Sequence, residues 1–97
     1  MTAFSPLALR SKIAIKVRQC RLMNKWSQKE LCKRAGINFA TYRIFEKTGN
    51  ISLARLCQVA IALGRSGELL QLFDPPPVAS LDELPEEIRI PRRGRTL

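Results

Sequence analysis

The sequence predicts an all-α fold, a compact five-helix domain followed by a short C-terminal tail, and three observations carry that expectation. Apolar residues recur at three- and four-residue spacing in successive segments, and each segment opens on a Ser or Asn suited to capping a helix. Gly or Asn stands where the first four segments should end, and Asp74-Pro75-Pro76-Pro77 stops the fifth, because three prolines donate no amides and clash with a continuing helix.

Ser5-Pro6 reads as an N-cap with Pro at the first helical position, and Leu9, Ile13, Val17 and Cys20 then form an apolar stripe, giving a first helix from Pro6 to Met23. Asn24 can take the left-handed conformation that ends it. Ser27-Gln28-Lys29-Glu30 is a capping box, in which the hydroxyl takes the Glu30 amide and the Glu30 carboxylate reaches back to the Ser27 amide. The second helix runs from Gln28 to Ala35, and Gly36 supplies the turn. Asn38 caps a third helix, Phe39 to Lys47, which Thr48-Gly49-Asn50 ends. Ser52 caps a fourth, with Leu53, Leu56, Val59, Ala60 and Leu63 as its stripe and Gly64 at its close. Ser66 opens a fifth, Gly67 to Phe73.

Residues 1–73 thus form one domain, with the two helices and turn of 27–47 at its centre, and 74–97 a proline-broken tail that is acidic and then basic. In the tail, Ser80-Leu81-Asp82-Glu83 can cap one helical turn and Ile88-Arg89-Ile90 alternates like a strand.

Ninety-seven residues allow one modest core and no two-domain enzyme. There is no His, which removes the commonest general base and the commonest transition-metal ligand together. No paired-carboxylate or nucleophile motif replaces it, so neither catalysis nor a cofactor is expected. Cys20, Cys32 and Cys57 contain no C-x-x-C pair and read as small core residues of a protein in a reducing compartment, with no metal site. The longest strongly apolar stretch, Val59 to Leu63, is far short of a membrane span, and Met1 to Leu9 is too short for a signal core before Arg10 and Lys12. A cytoplasmic protein is the expectation.

The formal charge is +9, from 17 basic and 8 acidic residues, and it is unevenly placed. Residues 1–65 carry +11, residues 66–91 carry −5, and the last six carry +3. A basic body of this kind attracts polyanions, since each Lys or Arg that neutralises a phosphate releases a counterion. On charge alone, nucleic acid and a merely solvated basic face stand about equal.

Two short helices joined by a turn at Gly36, inside a basic all-helical domain, have the layout of a helix-turn-helix. The stretch from Val17 to Leu63 closely resembles the Cro/repressor-type helix-turn-helix family. Val17-Arg18 with Arg21, Ser27-Gln28-Lys29-Glu30-Leu31, Arg34-Ala35-Gly36-Ile37, Thr41, Glu46, Ser52-Leu53 and Ala60-x-Ala62-Leu63-Gly64 carry the resemblance, which covers about half the chain. It implies a sequence-specific transcription regulator of double-stranded DNA, working at the nucleoid, and an ion pair tying Glu46 on the third helix to Arg21 on the first.

Helix geometry places Leu31, Cys32, Ala35, Ile37, Tyr42 and Phe45 inward as core. Geometry and the resemblance together give the DNA-facing set. Gln28 sits at the second helix's N-terminus, where it can address a phosphate, and the resemblance also implies that it braces the reading residues. Asn38, Phe39, Ala40 and Arg43 face the groove from the start of the third helix, flanked by Ile44 and Lys47. Arg43 is the expected base reader, by bidentate contact to a guanine edge, with a phosphate clamp as the alternative; Phe39 and Ala40 face thymine methyls, or Phe39 packs at the core edge. Lys25, Lys29, Arg34, Thr41, Lys47 and Asn50 surround the motif as backbone contacts. Phe39, Ala40 and Ile44 are apolar where many relatives carry polar readers, and Lys25 stands where a glycine is frequent.

In relatives of this type the last helix commonly supplies a two-fold contact, and Leu69, Leu70, Leu72 and Phe73 fit that use, with closure of the monomer core as the alternative, so a homodimeric repressor is the expectation. Small proteins of this kind include phage-type repressors and antitoxins. As an antitoxin, the chain would also inhibit a partner toxin protein, with the acidic strip from Asp82 to Glu87 as the contact.

Overall fold

Five helices occupy the described residues, 5–77, of this computed structural model: α1 (Pro6–Met23), α2 (Gln28–Ala35), α3 (Phe39–Thr48), α4 (Leu53–Ala62) and α5 (Ser66–Leu70). The turn expected at 80–83, the alternation at 88–90, the acidic strip and the basic end lie outside the described residues.

Side-chain caps set the first four boundaries. Ser5 Oγ accepts from the Ala8 amide at 3.0 Å, Ser27 Oγ from Glu30 at 3.0 Å, and Ser52 Oγ from Arg55 at 3.1 Å. Asn38 Oδ1 accepts from Ala40 at 2.8 Å and Thr41 at 3.2 Å. Each cap satisfies amides that have no partner within the helix, and losing one costs about 1 kcal/mol. The box at α2 closes on one side only: the Glu30 carboxylate accepts from Arg34 Nε at 2.7 Å instead of turning back to the Ser27 amide.

The left-handed residue after α1 is Lys25, with φ 61°, and not Asn24, which stays right-handed at φ −84°. The hydrogen bonds explain the shift by one. Trp26 N donates to Arg21 O at 3.2 Å and Lys25 N to Leu22 O at 2.9 Å, a Schellman closure whose reversal falls on the residue after the cap. Asn24 serves otherwise, its Nδ2 donating to Cys20 O at 3.0 Å.

The fifth helix is shorter than the sequence suggests and ends at Leu70, with turns at 71–73. Its cap position falls on Arg65 and not on Ser66, and an arginine side chain has no acceptor with which to cap; the guanidinium instead donates to Glu68 Oε2 at 2.6 Å and Cys20 Sγ at 3.1 Å. Phe73, at φ 59°, cannot continue a right-handed helix.

Ala14, Leu31, Cys32, Tyr42, Phe45 and Val59 form the buried core, bordered by Val17, Trp26, Ile37, Phe39, Ile51, Leu56, Ala62 and Leu63. α1 packs on α3, α2 on α3 and α4, and α5 on α4. Full burial of Leu31, Tyr42, Phe45 and Val59 contributes about 1.5–3 kcal/mol for each aliphatic or aromatic side chain. The inward stripe of α1 is Ala14, Val17 and Arg21, whereas Leu9 and Ile13 are exposed. Leu53 likewise falls off the stripe of α4, at 69% exposure. Cys32 alone among the cysteines is buried; Cys20 and Cys57 are half-buried, and all three are free thiols. Ala35 and Ile37 are half-buried at the edge.

Gly49 ends α3 at φ 82° and lies against α1: a Cβ there would sit 2.6 Å from Arg10 O. Only a glycine allows both the left-handed turn and this approach.

Candidate nucleic-acid interface

A guanidinium buried in a small core must be matched by an anion and by acceptors for its remaining N–H groups. Arg21, 6% exposed, meets both needs. Its Nε donates to Glu46 Oε2 at 2.7 Å, its Nη2 to Glu46 Oε1 at 3.2 Å, and its Nη1 to Trp26 O at 2.8 Å. Glu46 in turn accepts from Gln28 Nε2 at 2.9 Å and from the Tyr42 hydroxyl, and Arg18 Nε lies 3.8 Å from Oε1. One carboxylate therefore ties α1, α2 and α3 together. Burial pushes the Glu46 carboxyl up, but the hydrogen bonds from Arg21, Tyr42 and Gln28 outweigh it and hold the pKa below the ordinary carboxylate range. Burial first, and then the bond to Glu46, pushes the Tyr42 phenol far up. Bonding to Glu46 raises Arg21, and burial raises the Cys32 thiol.

This network fixes the inner face of α3, and with it the outer one. Ala40, Arg43, Ile44 and Lys47 are exposed at three- and four-residue spacing, opposite the buried Tyr42 and Phe45. Lys29 of α2 joins them, its Nζ 5.3 Å from the centre of the Phe39 ring, and Arg43 Cζ lies 5.7 Å from the same ring. The exposed Asn50 and the half-buried Thr41 line a shallow groove with Ile44, Ile51, Ser52 and Arg55.

Other expected site residues are placed differently. Asn38 uses its side-chain oxygen as the cap of α3, and the side-chain amide of Gln28 is bonded to Glu46. Arg34 is stacked over Trp26, Cζ 4.4 Å from the ring centre, as well as bonded to Glu30, so it is held along α2. Lys25 is exposed in the turn before α2. Leu70, Leu72 and Phe73 are exposed at 84%, 53% and 95%, but Leu69 is half-buried and Leu72 and Phe73 lie beyond the helix, so the four do not share one helical face.

Two contributors were not singled out from sequence. Arg55 stands in the first turn of α4 beside Asn50, a position legible from the Ser52 cap. Gln58 donates from Nε2 to Ala35 O at 3.2 Å and Gly36 O at 3.3 Å, filling the end of α2 from α4. No local signal marks that contact.

Among the described residues no three or more of His, Cys, Asp and Glu gather into a group that could hold a metal ion, and no helix is long and apolar enough to cross a membrane. The helix-turn-helix family model matches residues 17–70, from the middle of α1 to the end of α5. No curated protein matches the chain.

Proposed function

Because the chain belongs to the Cro/repressor-type helix-turn-helix family of DNA-binding transcription regulators, we propose that it is a sequence-specific repressor that acts as a homodimer, at the nucleoid, on its own or a neighbouring promoter. The observation that carries this reading is the outer face of α3. Ala40, Arg43, Ile44 and Lys47 stand exposed on one side of a helix whose other side is locked into the core by Glu46. A face so held can enter a major groove without rearrangement.

Arg43 reads a base edge, and Ala40 offers a methyl contact to thymine. Lys47, Lys29, Thr41 and Asn50 grip the backbone, and Arg55 joins them from the first turn of α4. Gln28 and Asn38 act by holding α2 and α3 in place, and also present their helix N-termini to phosphates. With few polar readers on α3, base contacts are supplemented by DNA shape and deformability.

A single motif spans few base pairs, and exposed Leu70 at the end of α5, with Leu72 and Phe73 just beyond it, offers apolar surface for a second copy on the adjoining half-site. The acidic strip from Asp82 to Glu87 supports a second reading, inhibition of a toxin protein encoded nearby, since phosphates would repel it from DNA.

In vitro selection from a random duplex pool tests the main reading. Enrichment of a palindromic site that also lies upstream of the gene, with binding abolished by Arg43→Ala at unchanged helicity, is the expected result. Wild-type protein with no preference over random DNA at physiological salt overturns it. For the second reading, deleting Pro75 to Leu97 should free a co-expressed neighbouring gene product from inhibition while DNA binding survives.

A further inference from the structure

We infer that Phe39 is a positioning residue that gathers Lys29 and Arg43 over its ring into a paired cationic clamp for DNA, and not a reader of thymine methyls. The inference rests on the reading that α3 faces the groove. Lys29 belongs to α2 and Arg43 to α3, and their charges repel, yet Lys29 Nζ lies 5.3 Å and Arg43 Cζ 5.7 Å from the centre of the same ring. Both distances are within the roughly 6 Å over which an aromatic quadrupole attracts a cation.

The ring itself is well placed to act as a platform. Phe39 is half-buried and packs against the core, so it is held at the start of α3 next to the Asn38 cap. Arg43 follows one helical turn later on the same face, and α2 brings Lys29 in from the side. Long cationic side chains lose rotamer freedom when they engage a ligand. Resting on one ring, these two lose less of it on binding, and their joint positive field is directed at the groove before DNA arrives. The departure from polar readers at this position then has a physical purpose, since a polar residue here would leave both cations unsupported.

The test measures affinity for a mixed-sequence duplex at fixed salt by fluorescence anisotropy, with helicity followed by circular dichroism. Phe39→Leu keeps an apolar side chain and removes the π face, and should weaken binding about threefold to tenfold. Phe39→Tyr, which keeps the face, should bind like wild type. In a Lys29→Met/Arg43→Met background, compared at a salt low enough for both proteins to bind, Phe39→Leu should add nothing, and replacing thymine by uracil in the duplex should not change the effect of Phe39→Leu. Phe39→Leu that binds like wild type overturns the inference, as does a loss of equal size in the double-methionine background or one that vanishes on uracil DNA. Wild-type protein that does not bind the duplex overturns DNA binding itself, whereas each of the other failures removes only the role given to Phe39.

Discussion

Arg21 and Glu46 meet side-on through two hydrogen bonds, Nε to Oε2 at 2.7 Å and Nη2 to Oε1 at 3.2 Å, although 25 residues separate them in the chain. Both side chains are under a tenth exposed. Removing one partner of such a pair leaves an uncompensated charge in the core, which typically costs about 3–5 kcal/mol. Glu46→Gln should therefore lower the midpoint of thermal unfolding by roughly 10 °C or more, at about 4–8 °C per kcal/mol for a domain of this size. The double variant Arg21→Met/Glu46→Leu should lose less than Glu46→Gln, because no charge is stranded; a greater loss would show that the pair stabilises beyond its mutual neutralisation.

The same carboxylate sets an acid limit. Its pKa in the folded protein lies below the ordinary value, so its contribution is complete above the unfolded-state pKa of about 4.3 and is lost as the pH falls toward the folded-state value. Urea melts repeated from pH 7 downward should show a flat plateau and then a decline beginning below about pH 5. In Glu46→Gln that decline should be shallower.

Gly49 and Gly64 make a matched comparison. Both have positive φ, 82° and 73°, but a Cβ at Gly49 would sit 2.6 Å from Arg10 O while nothing lies within 4 Å of one at Gly64. Gly64→Ala should cost only the left-handed penalty of about 1–2 kcal/mol. Gly49→Ala should cost clearly more, since α1 must also move, and equal losses in chemical denaturation would show that α1 yields freely.

Lys25 is a cation in a glycine conformation. Lys25→Gly relieves about 1–2 kcal/mol of backbone strain and gives part of it back as chain entropy, for a net gain of about 0.5–1 kcal/mol. Salt titrations of DNA binding should at the same time show a slope reduced by about 1 if Lys25 meets a phosphate.

The four capped helices were legible because Ser5, Ser27, Asn38 and Ser52 satisfy backbone amides within three residues, an interaction contained in local sequence. The side of α1 that is buried was not. Leu9-Ile13 and Ala14-Val17-Arg21 are both helix-periodic, and only the close approach of α1 to α3, which leaves space for alanine, selects the second. The span of α5 was missed for a related reason: its start falls after Arg65, whose donor-only guanidinium reaches to Glu68 and to Cys20 of α1, and Phe73 beyond its end takes a left-handed backbone. At the site, the pairing of Arg21 with Glu46 and the exposure of Arg43 could be anticipated, one from the family resemblance and the other from helix geometry. The ring of Phe39 beneath two cations and the bond from Gln58 to the end of α2 depend on how separate helices meet, which periodicity does not encode.

Tyr42 is the chain's single tyrosine, and it is completely enclosed, with its hydroxyl bonded to Glu46. A phenol so raised stays neutral while the protein is intact, so its stabilising effect is complete below the ordinary pKa of about 10 and is eroded as the pH climbs above it. Phenolate absorbance that appears as the pH passes the ordinary value of about 10 thus reports chiefly on opened molecules. The protein carries its own optical gauge of whether the three helices around that carboxylate are still together.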